Sequence, residues 1–317
     1  MDTIIIGIDM GGTKTACVAA GSDGVVFSEI RSDGKNLKTS GVEAVGCVIV
    51  DLAARTRVTV STADNFDASR VNEHIHISAG VAGAGLATDR EALKAYLETE
   101  IENCSVRIFP DTSVAIEGAF DGNAGMLCIT GTGSNVCARD SRGAYYHAGG
   151  WGPQLGDPAS AVQLGMDALR ALIKCGVASD EVKQSQLLSG LVDDHGLQSR
   201  ENILACVYDS DGSISPPMLA RTVLTAYSER DSYAVSIVEN GVRDFVQQIE
   251  KCCHALSHLD SSNKRYVHMG GLSADATFAA FFSNQMAIRF PDWRRMAPIH
   301  SPERGALDLG LRFVLES

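Results

Sequence analysis

The chain has 317 residues, of which 45% are hydrophobic and 21% are charged, a balance typical of a globular protein long enough for two domains. Its 27 basic and 39 acidic residues give a formal net charge of −12, which argues against binding to a nucleic-acid backbone or an anionic membrane surface. The nine cysteines contain no CxxC pair, and no apolar stretch approaches the ~20 residues that span a bilayer. We therefore expect a reduced cytoplasmic protein with buried thiols.

The first part of the chain is predicted to fold as a strand meander followed by alternating helices and strands. In chain order the predicted elements are strands over 3–10, 15–20 and 25–30, a helix over 41–56, a strand over 74–83, a helix over 89–103 and a strand over 106–112. The valines of the first helix would also suit a strand, but their spacing favours a helix. Asp89 is expected to cap the second helix.

The second half repeats this order of elements. It has a strand-turn-strand pattern over 125–143, helices over 160–176 and 232–259, a strand over 264–273 and a closing helix over 303–316. The two similar openings suggest an internal duplication. We expect one domain over residues 1–115, onto which the C-terminal helix 303–317 could pack back, and a second domain over 116–302.

The stretch GIDMGGTKT, residues 7–15, places two glycines in the first turn. A P-loop and a dinucleotide-binding fingerprint both require a helix after the glycines, whereas β-like residues follow here. Gly11 and Gly12 would let backbone amides approach phosphate oxygens, with the Thr13 hydroxyl as a further donor. Asp9 would face Mg²⁺ through water, because hard cations prefer oxygen ligands. A glycine hairpin without a ligand is the alternative interpretation.

Two later segments have the same character. ITGTGSN, residues 129–135, again sets a donor-rich turn between two strands, and MGGLS, residues 269–273, ends a buried strand with two glycines. Gly270 and Gly271 would let an adenosine lie against the backbone. Each segment alone also fits an ordinary turn, but equivalent turns in two halves favour a nucleotide site.

A resemblance is carried by five segments in order: GIDMGGTKT, PDTSVAIEGAF, ITGTGSN, GGWGPQLGD and GGLS. They resemble the N-acetylglucosamine kinase branch of the sugar kinase/Hsp70/actin superfamily, the set grouped with the BadF/BadG activator ATPases. The most specific segment is GGWGPQLGD, and between about 175 and 262 the resemblance rests on helical pattern alone. It implies an α/β fold with two ribonuclease-H-like (actin-like ATPase) domains flanking a cleft for ATP and sugar.

The resemblance also implies roles for individual residues. Asp111 would be the catalytic base that accepts the proton of the sugar 6-hydroxyl as that oxygen attacks the γ-phosphate of ATP. The implied ATP and phosphate contacts are Gly11, Gly12, Thr13, Lys14, Gly131, Thr132, Gly133, Gly270, Gly271 and Ser273. The implied sugar contacts are Asn36, Asn135, Gly150, Trp151 and Asp157, and Asp9 would hold Mg²⁺ through water. Taken alone, Asp111 would also suit a turn after Pro110, and Trp151 would also suit a core aromatic.

The sequence departs from the family pattern next to these positions. We call the segment GGWGPQLGD, residues 149–157, the tryptophan loop. At its end the family usually has GDEGS, whereas this chain has GDPAS, with Pro158 and Ala159. Pro110 and Thr112 are unusual neighbours for the base. These changes leave phosphoryl transfer intact as an expectation and leave the sugar open among N-acetylglucosamine, glucosamine, N-acetylmannosamine and N-acetylmuramic acid.

The expected function is ATP-dependent phosphorylation of an amino sugar at its 6-hydroxyl, with N-acetylglucosamine as the first choice and a homodimer as the expected assembly. The first alternative is an ATPase activator whose [4Fe–4S] cluster bridges a dimer and serves a radical dehydratase or reductase. Its ligands would come from Cys128, Cys137, Cys252 or Cys253, which suit buried thiols better. The second alternative is a non-catalytic sugar sensor on the same fold.

Overall fold

A computed structural model describes residues 3–62, 74–152, 154–209 and 214–316. The strands are β1 (Ile4–Met10), β2 (Lys14–Ala20), β3 (Val26–Asp33), β4 (Ile75–Val81), β5 (Cys104–Pro110), β6 (Gly125–Thr130), β7 (Ser134–Arg139), β8 (Tyr145–Gly149), β9 (Arg265–Met269) and β10 (Arg294–Arg295). The helices are α1 (Leu37–Thr62), α2 (Ala87–Glu100), α3 (Asp111–Phe120), α4 (Ala161–Cys175), α5 (Asp180–Gln184), α6 (Gln186–Asp193), α7 (Arg200–Tyr208), α8 (Pro216–Ser228), α9 (Ser232–Ala255), α10 (Ala276–Arg289) and α11 (Pro302–Glu316).

The chain divides into two compact units. Unit 1 takes the chain as far as Asn123 and then from Ala297 onward, and unit 2 runs from Ala124 to Met296. The C-terminal helix α11 is part of unit 1, where it packs against α3 and the sheet. The boundary expected near residue 115 falls inside α3, a helix that the sequence reasoning did not predict.

Unit 1 is built on a five-stranded sheet in the order β3-β2-β1-β4-β5. The first three strands form an antiparallel meander, as predicted, and β4 and β5 run parallel to β1. Alternation along β1 sends Ile6 and Ile8 into a core shared with α1 and α2, while Ile5 packs with Leu307 of α11. The sheet therefore has α1 and α2 on one face and α3 and α11 on the other.

Two glycines let α3 and α11 approach the sheet closely. A Cβ on Gly7 of β1 would lie 2.4 Å from the backbone nitrogen of Leu307, and a Cβ on Gly80 of β4 would lie 2.1 Å from Val114 Cγ2 of α3. Any side chain at either position would push a helix outward. These contacts bring the first turns of α3 and α11 close to the end of β1.

Unit 2 has a five-stranded sheet in the order β10-β9-β6-β7-β8. Strands β6, β7 and β8 form the antiparallel meander, and β9 runs parallel to β6. With β6, β7 and β8 as counterparts of β1, β2 and β3, the strand order is the same in both units. The expectation that the two halves repeat one plan is confirmed. Helices α4, α8, α9 and α10 contribute most of the apolar core of this unit.

Several local predictions are wrong. Asp89 is not the cap of α2, which begins at Ala87 after Leu86; Asp89 lies in its first turn and pairs with Lys38. The strand predicted to reach residue 112 ends at Pro110, since α3 begins at once. The strand predicted to reach residue 273 ends at Met269, because Gly270 has a φ of 106° that no strand continues.

Candidate active site

Two carboxylates meet at one edge of the unit 1 sheet. Asp9 of β1 is in register with Gly80 of β4, which is in register with Phe109 of β5. Asp111 follows β5 after Pro110 and is the first residue of α3. Because the carboxyl ends of parallel strands lie at the same edge, the fold brings Asp9 and Asp111 together from separate parts of the chain.

The charges around Asp9 are unbalanced. Burial, followed by the charges of Asp111 and Glu303, raises the pKa of Asp9 from 3.8 to about 7, while Lys14 and Arg31 oppose the shift. A cation beside these carboxylates would favour the ionised form of Asp9. Carboxylate oxygens are the ligands that Mg²⁺ prefers, so this donor set fits the cation that the motifs imply.

Asp111 occupies the first turn of a helix instead of a loop. Its Oδ1 accepts a hydrogen bond from the backbone N–H of Thr112 at 2.9 Å, and Pro110 precedes it with a φ of −56°. A negative charge is favoured at a helix N-terminus, where the first N–H groups have no partner within the helix. The position suits a carboxylate that accepts a proton.

The first glycine turn joins β1 to β2. The Gly11 N–H donates to the Lys14 carbonyl at 2.9 Å, and Gly12, Thr13 and Lys14 are exposed. Gly34, which sequence reasoning missed, packs against this turn: a Cβ there would lie 2.2 Å from the Lys14 backbone nitrogen. The segment between β3 and α1 thus supports the turn from one side.

Asn36 begins α1. Its Oδ1 accepts the backbone N–H of Lys38 at 2.9 Å, which caps the helix, and a Cβ on Gly83 would lie 2.4 Å from the same oxygen. With Oδ1 used in this way, the side-chain amide group is the part of Asn36 suited to a ligand.

The second glycine turn joins β6 to β7 in unit 2. Gly131 donates to the Gly133 carbonyl at 2.9 Å, and Thr132 is exposed. The first turn of α4 holds this loop from behind, because Ala161 donates to the Gly131 carbonyl at 2.8 Å and Val162 donates to the Thr132 carbonyl at 3.2 Å. The turn is therefore fixed by the helix that follows the tryptophan loop.

The third glycine segment lies beside the second turn. A Cβ on Gly131 would lie 3.7 Å from the Gly271 nitrogen, and a Cβ on Gly270 would lie 2.3 Å from the Thr130 carbonyl oxygen. The φ of 106° at Gly270 also requires glycine. Ser273 donates through Oγ to the Gly270 carbonyl at 2.7 Å, so its hydroxyl stabilises the bend itself.

Asp157 ties the tryptophan loop to the second turn. Its buried Oδ1 accepts the Gly152 N–H at 3.0 Å, and the N–H groups of Ser134 and Trp151 also bind the carboxylate. Burial raises the pKa of Asp157, and these backbone bonds oppose that shift. A Cβ on Gly133 would lie 2.8 Å from Asp157 Oδ2. Three backbone donors make this carboxylate an anchor of the loop.

The loop leaves two groups available to a ligand. Trp151 is 70% exposed in the single chain, which is inconsistent with a core aromatic. Asn135 Oδ1 is buried and has no hydrogen-bond partner in the part of the chain that the structure describes. A Cβ on Gly150 would lie 2.7 Å from Asn135 Nδ2, so the loop backbone runs directly beside this side chain. A buried oxygen without a partner favours a hydroxyl donor.

The GDPAS departure has a structural consequence. Ala159 is buried with a φ of 59°, in the left-handed region where glycine is relaxed and alanine is strained. A Cβ on Gly241 of α9 would lie 3.3 Å from the Ala159 nitrogen, so α9 supports this bend. The strained residue follows the anchor Asp157 by two positions.

The sites are distributed over both units. Asp9, Gly11, Gly12, Thr13, Lys14, Asn36 and Asp111 belong to unit 1, and the other residues named from the motifs belong to unit 2. Sequence reasoning missed Glu303 and Arg31, because no motif marks either residue. The charge of Glu303 raises the pKa of Asp9, and that of Arg31 lowers it.

The cysteines do not resemble ligands of an exposed cluster. Cys128, Cys137 and Cys252 are buried, and burial raises the pKa of Cys252 to about 11 and that of Cys253 to about 12. Among the described residues, the only group of three or more histidine, cysteine or acidic side chains whose ligand atoms all lie within 4.8 Å of one another contains no cysteine: Asp121, His300 and Asp308. None of the described helices is long and apolar enough to cross a membrane.

Comparisons with known proteins show the family of this chain. Residues 6–310 match the model of the BadF/BadG/BcrA/BcrD ATPase family. The chain is 24% identical over 301 residues to the N-acetylmuramic acid/N-acetylglucosamine kinase of Clostridium acetobutylicum, covering 94% of this chain and 92% of that protein. It is 30% identical over 214 residues to the N-acetyl-D-glucosamine kinase of Dictyostelium discoideum, covering 65% of each.

A solved structure provides the fold comparison. The chain superposes with a TM-score of 0.70 on a Chromobacterium violaceum protein provisionally named as an N-acetylglucosamine kinase. The match covers 97% of this chain and 98% of that one at 21% identity. Together with the repeated strand order, this likeness confirms the predicted α/β fold class of the actin-like ATPases.

Proposed function

Because this chain belongs to the BadF/BadG/BcrA/BcrD ATPase family, as its motifs predict, we propose that it uses ATP to phosphorylate an amino sugar at the 6-hydroxyl. We propose N-acetylglucosamine as the substrate. The proposal draws on the two curated relatives, both of which are named as kinases of this sugar.

The observation that carries the proposal is the pairing of Asp111 with Asp9 at one sheet edge. Phosphoryl transfer to a hydroxyl needs a carboxylate that accepts the proton and a cation that offsets the phosphate charge. Asp111, at the start of α3, would accept the proton of the 6-hydroxyl. Asp9 would hold Mg²⁺ through water, and when bound this cation would neutralise charge on the transferred phosphate.

The two glycine turns would hold the phosphates of ATP. The backbone amides of Gly12 and Gly133 would approach the phosphate oxygens, with the hydroxyls of Thr13 and Thr132 and the Lys14 ammonium as further donors. All three of these side chains are exposed in the single chain and are therefore open to a ligand. Gly11 and Gly131, whose N–H groups close the two turns, would let the phosphates lie close to the backbone. Gly270, Gly271 and Ser273 would border the adenosine, with Ser273 holding the bend that forms this surface.

The sugar would be held mainly by amide groups and an aromatic ring. Asn36 would donate from its amide group, Asn135 would accept through its buried oxygen, and Trp151 would cover an apolar face of the ring. Gly150 would let the sugar lie against the backbone beside Asn135. Asp157 would contribute to sugar binding indirectly, because its carboxylate fixes the position of the loop that carries Gly150 and Trp151.

The test is ADP release with Mg·ATP against N-acetylglucosamine, glucosamine, N-acetylmannosamine, N-acetylmuramic acid and glucose, with a reaction without sugar as the blank. We expect ADP release that depends on sugar and is fastest with N-acetylglucosamine. The position of the phosphate is read by ³¹P–¹H correlation spectroscopy on the product. ADP release that is indifferent to every sugar would contradict the proposal and favour an ATPase that drives an electron-transfer partner.

We also propose that the protein works as a cytoplasmic homodimer, the commonest closed assembly of soluble chains. Light scattering during size-exclusion chromatography would give the mass in solution. A mass near that of one 33.6 kDa chain would contradict the dimer without affecting the proposed activity.

A further inference from the structure

We propose that Glu303, in the first turn of α11, is a second carboxylate for the divalent cation that Asp9 holds, and that Arg31 offsets part of the negative charge of Glu303. This inference rests on the proposed use of Mg·ATP. It assigns a role to a residue outside the five motif segments.

The packing of α11 places Glu303 on the correct face of the sheet. Gly7 and Asp9 are two residues apart on β1, so both face the side that α11 covers. A Cβ on Gly7 would lie 2.5 Å from the carbonyl oxygen of Glu303, and only a glycine allows the helix so close. Glu303 is itself buried, with 9% of its surface exposed. Its buried side chain therefore belongs to the layer into which Asp9 projects.

Arg31, two strands away from Asp9 on β3, approaches Glu303 on the same face of the sheet. Asp9 is in register with Ala16 of β2, and Ala16 is in register with Arg31 of β3, so all three side chains lie on one face. The side chain of Ala16 is small, so the Arg31 side chain can pass over β2 and reach α11. Arg31 Nη2 lies 3.0 Å from Glu303 Oε1, which fixes the glutamate carboxylate above this row.

The charges in this cluster favour an added cation. Three carboxylates, Asp9, Asp111 and Glu303, are opposed by Lys14 and Arg31, which leaves one negative charge in excess when all three carboxylates are ionised. Arg31 is 69% exposed at its side chain, so water screens its contribution, whereas Glu303 is only 11% exposed. A divalent cation would offset the excess charge more effectively than the exposed guanidinium does.

A purely structural ion pair predicts a different response from a cation site. If Glu303 served only to pair with Arg31 and acted on the cation through its charge alone, Glu303→Asp, which keeps the charge and shortens the side chain, would leave cation binding unchanged. If Glu303 is a ligand of the cation, Glu303→Asp and Glu303→Gln both weaken cation binding, while loss of the arginine removes a repulsive positive charge and strengthens it. The two variants Glu303→Asp and Glu303→Gln therefore separate the two roles.

The experiment is a titration of the full chain with Mn²⁺ alone, with free Mn²⁺ measured by electron paramagnetic resonance. All proteins carry His300→Asn, because Asp121, His300 and Asp308 offer a second group of ligand atoms within 4.8 Å of one another in unit 1. Asp51→Asn is the matched control: it removes one carboxylate that is ion-paired to an arginine, on α1 at the opposite face of the sheet.

We expect Glu303→Gln and Glu303→Asp each to weaken Mn²⁺ binding about tenfold, as loss of one ligand does, while Arg31→Gln tightens it and Asp51→Asn leaves it unchanged. Wild-type affinity in Glu303→Asp or in Glu303→Gln, absence of Mn²⁺ binding in the wild type, or weakening by Arg31→Gln would each overturn the proposal. If Glu303→Gln does not fold, as checked by circular dichroism, the affinity of Glu303→Asp decides.

This experiment is independent of the proposed sugar kinase activity. A protein that phosphorylates no sugar but loses Mn²⁺ binding with Glu303→Gln would refute the activity and retain the role of Glu303. A sugar kinase whose Mn²⁺ affinity is unchanged by Glu303→Gln would refute only the role of Glu303.

Discussion

Replacing Asp9 with asparagine should remove a pH dependence from the stability of unit 1. Burial and the nearby carboxylates raise the pKa of Asp9 from 3.8 to about 7 in the folded protein. A carboxyl group whose pKa is raised by folding binds its proton more tightly in the folded state. Its stabilising contribution is therefore complete below pH 3.8 and is lost as the pH rises through about 7.

The size of this effect follows from the shift. A change of roughly 3 units at about 1.4 kcal/mol per unit gives a total contribution of about 4 kcal/mol. Between about pH 5 and about pH 8, the linkage relation predicts that the wild type loses about 2–3 kcal/mol of stability through this residue. The Asp9→Asn variant has no such proton to lose. Between the same two pH values, its free energy of unfolding should therefore fall by about 2–3 kcal/mol less than that of the wild type.

The assay is native-state hydrogen exchange of the β1 amides in metal-free buffer, corrected for the intrinsic pH dependence of exchange, because it reports the opening free energy of unit 1 separately. Asp51→Asn serves as the control and should retain the pH dependence of the wild type. If Asp9→Asn and the wild type lose equal stability between the two pH values, Asp9 does not titrate as its surroundings require, and the electrostatic account of this site is wrong.

Three further predictions concern the proposed catalytic and binding groups. Asp111→Asn should lower kcat by about 10²–10⁴ with little change in either KM, and near-normal turnover in steady-state ADP release would exclude Asp111 as the base. Gly270→Ala should destabilise unit 2 by about 2–3 kcal/mol. The reason is that its Cβ would lie 2.3 Å from the Thr130 carbonyl oxygen, whereas Gly271→Ala meets nothing within 4 Å among the described residues and serves as the control. Thermal unfolding measures both variants, and equal melting temperatures would contradict the packing argument. Trp151→Ala should raise the KM for the sugar without changing the KM for ATP or the melting temperature, because this side chain is 70% exposed; an unchanged sugar KM would remove it from the site.

The helices that the sequence analysis missed are mostly short. Helices α5, α6 and α7 have 5, 8 and 9 residues, too few for the apolar period of a helix to stand out. Their N-caps were nevertheless visible as Ser179, Ser185 and Ser199, whose side chains accept backbone N–H groups three residues on. Serine is common in loops as well, so the cap residue alone did not indicate a helix.

The candidate site was predictable to the extent that its chemistry is local. The turns around Gly11 and Gly131 are where the sequence predicts them, because two glycines within three residues between two apolar strands favour a hairpin. The part that Asp157 plays in anchoring the tryptophan loop could not be predicted from its sequence neighbours. Its carboxylate binds the N–H groups of Gly152, Trp151 and Ser134, and the last of these depends on how the loop folds back onto β7.

The sequence by itself determined the alternation of strands, helices and glycine turns, the repetition of that plan in two halves, and the residue types that suit phosphate and sugar. These features depend on neighbours a few positions apart, where side-chain period and backbone freedom decide the structure. Only the tertiary structure decided that Glu303, near the C-terminus, enters the layer of Asp9, near the N-terminus. That contact depends on the close approach of α11 to Gly7, and the electrostatic balance at Asp9 depends on burial and on charges from distant parts of the chain, which no local pattern records.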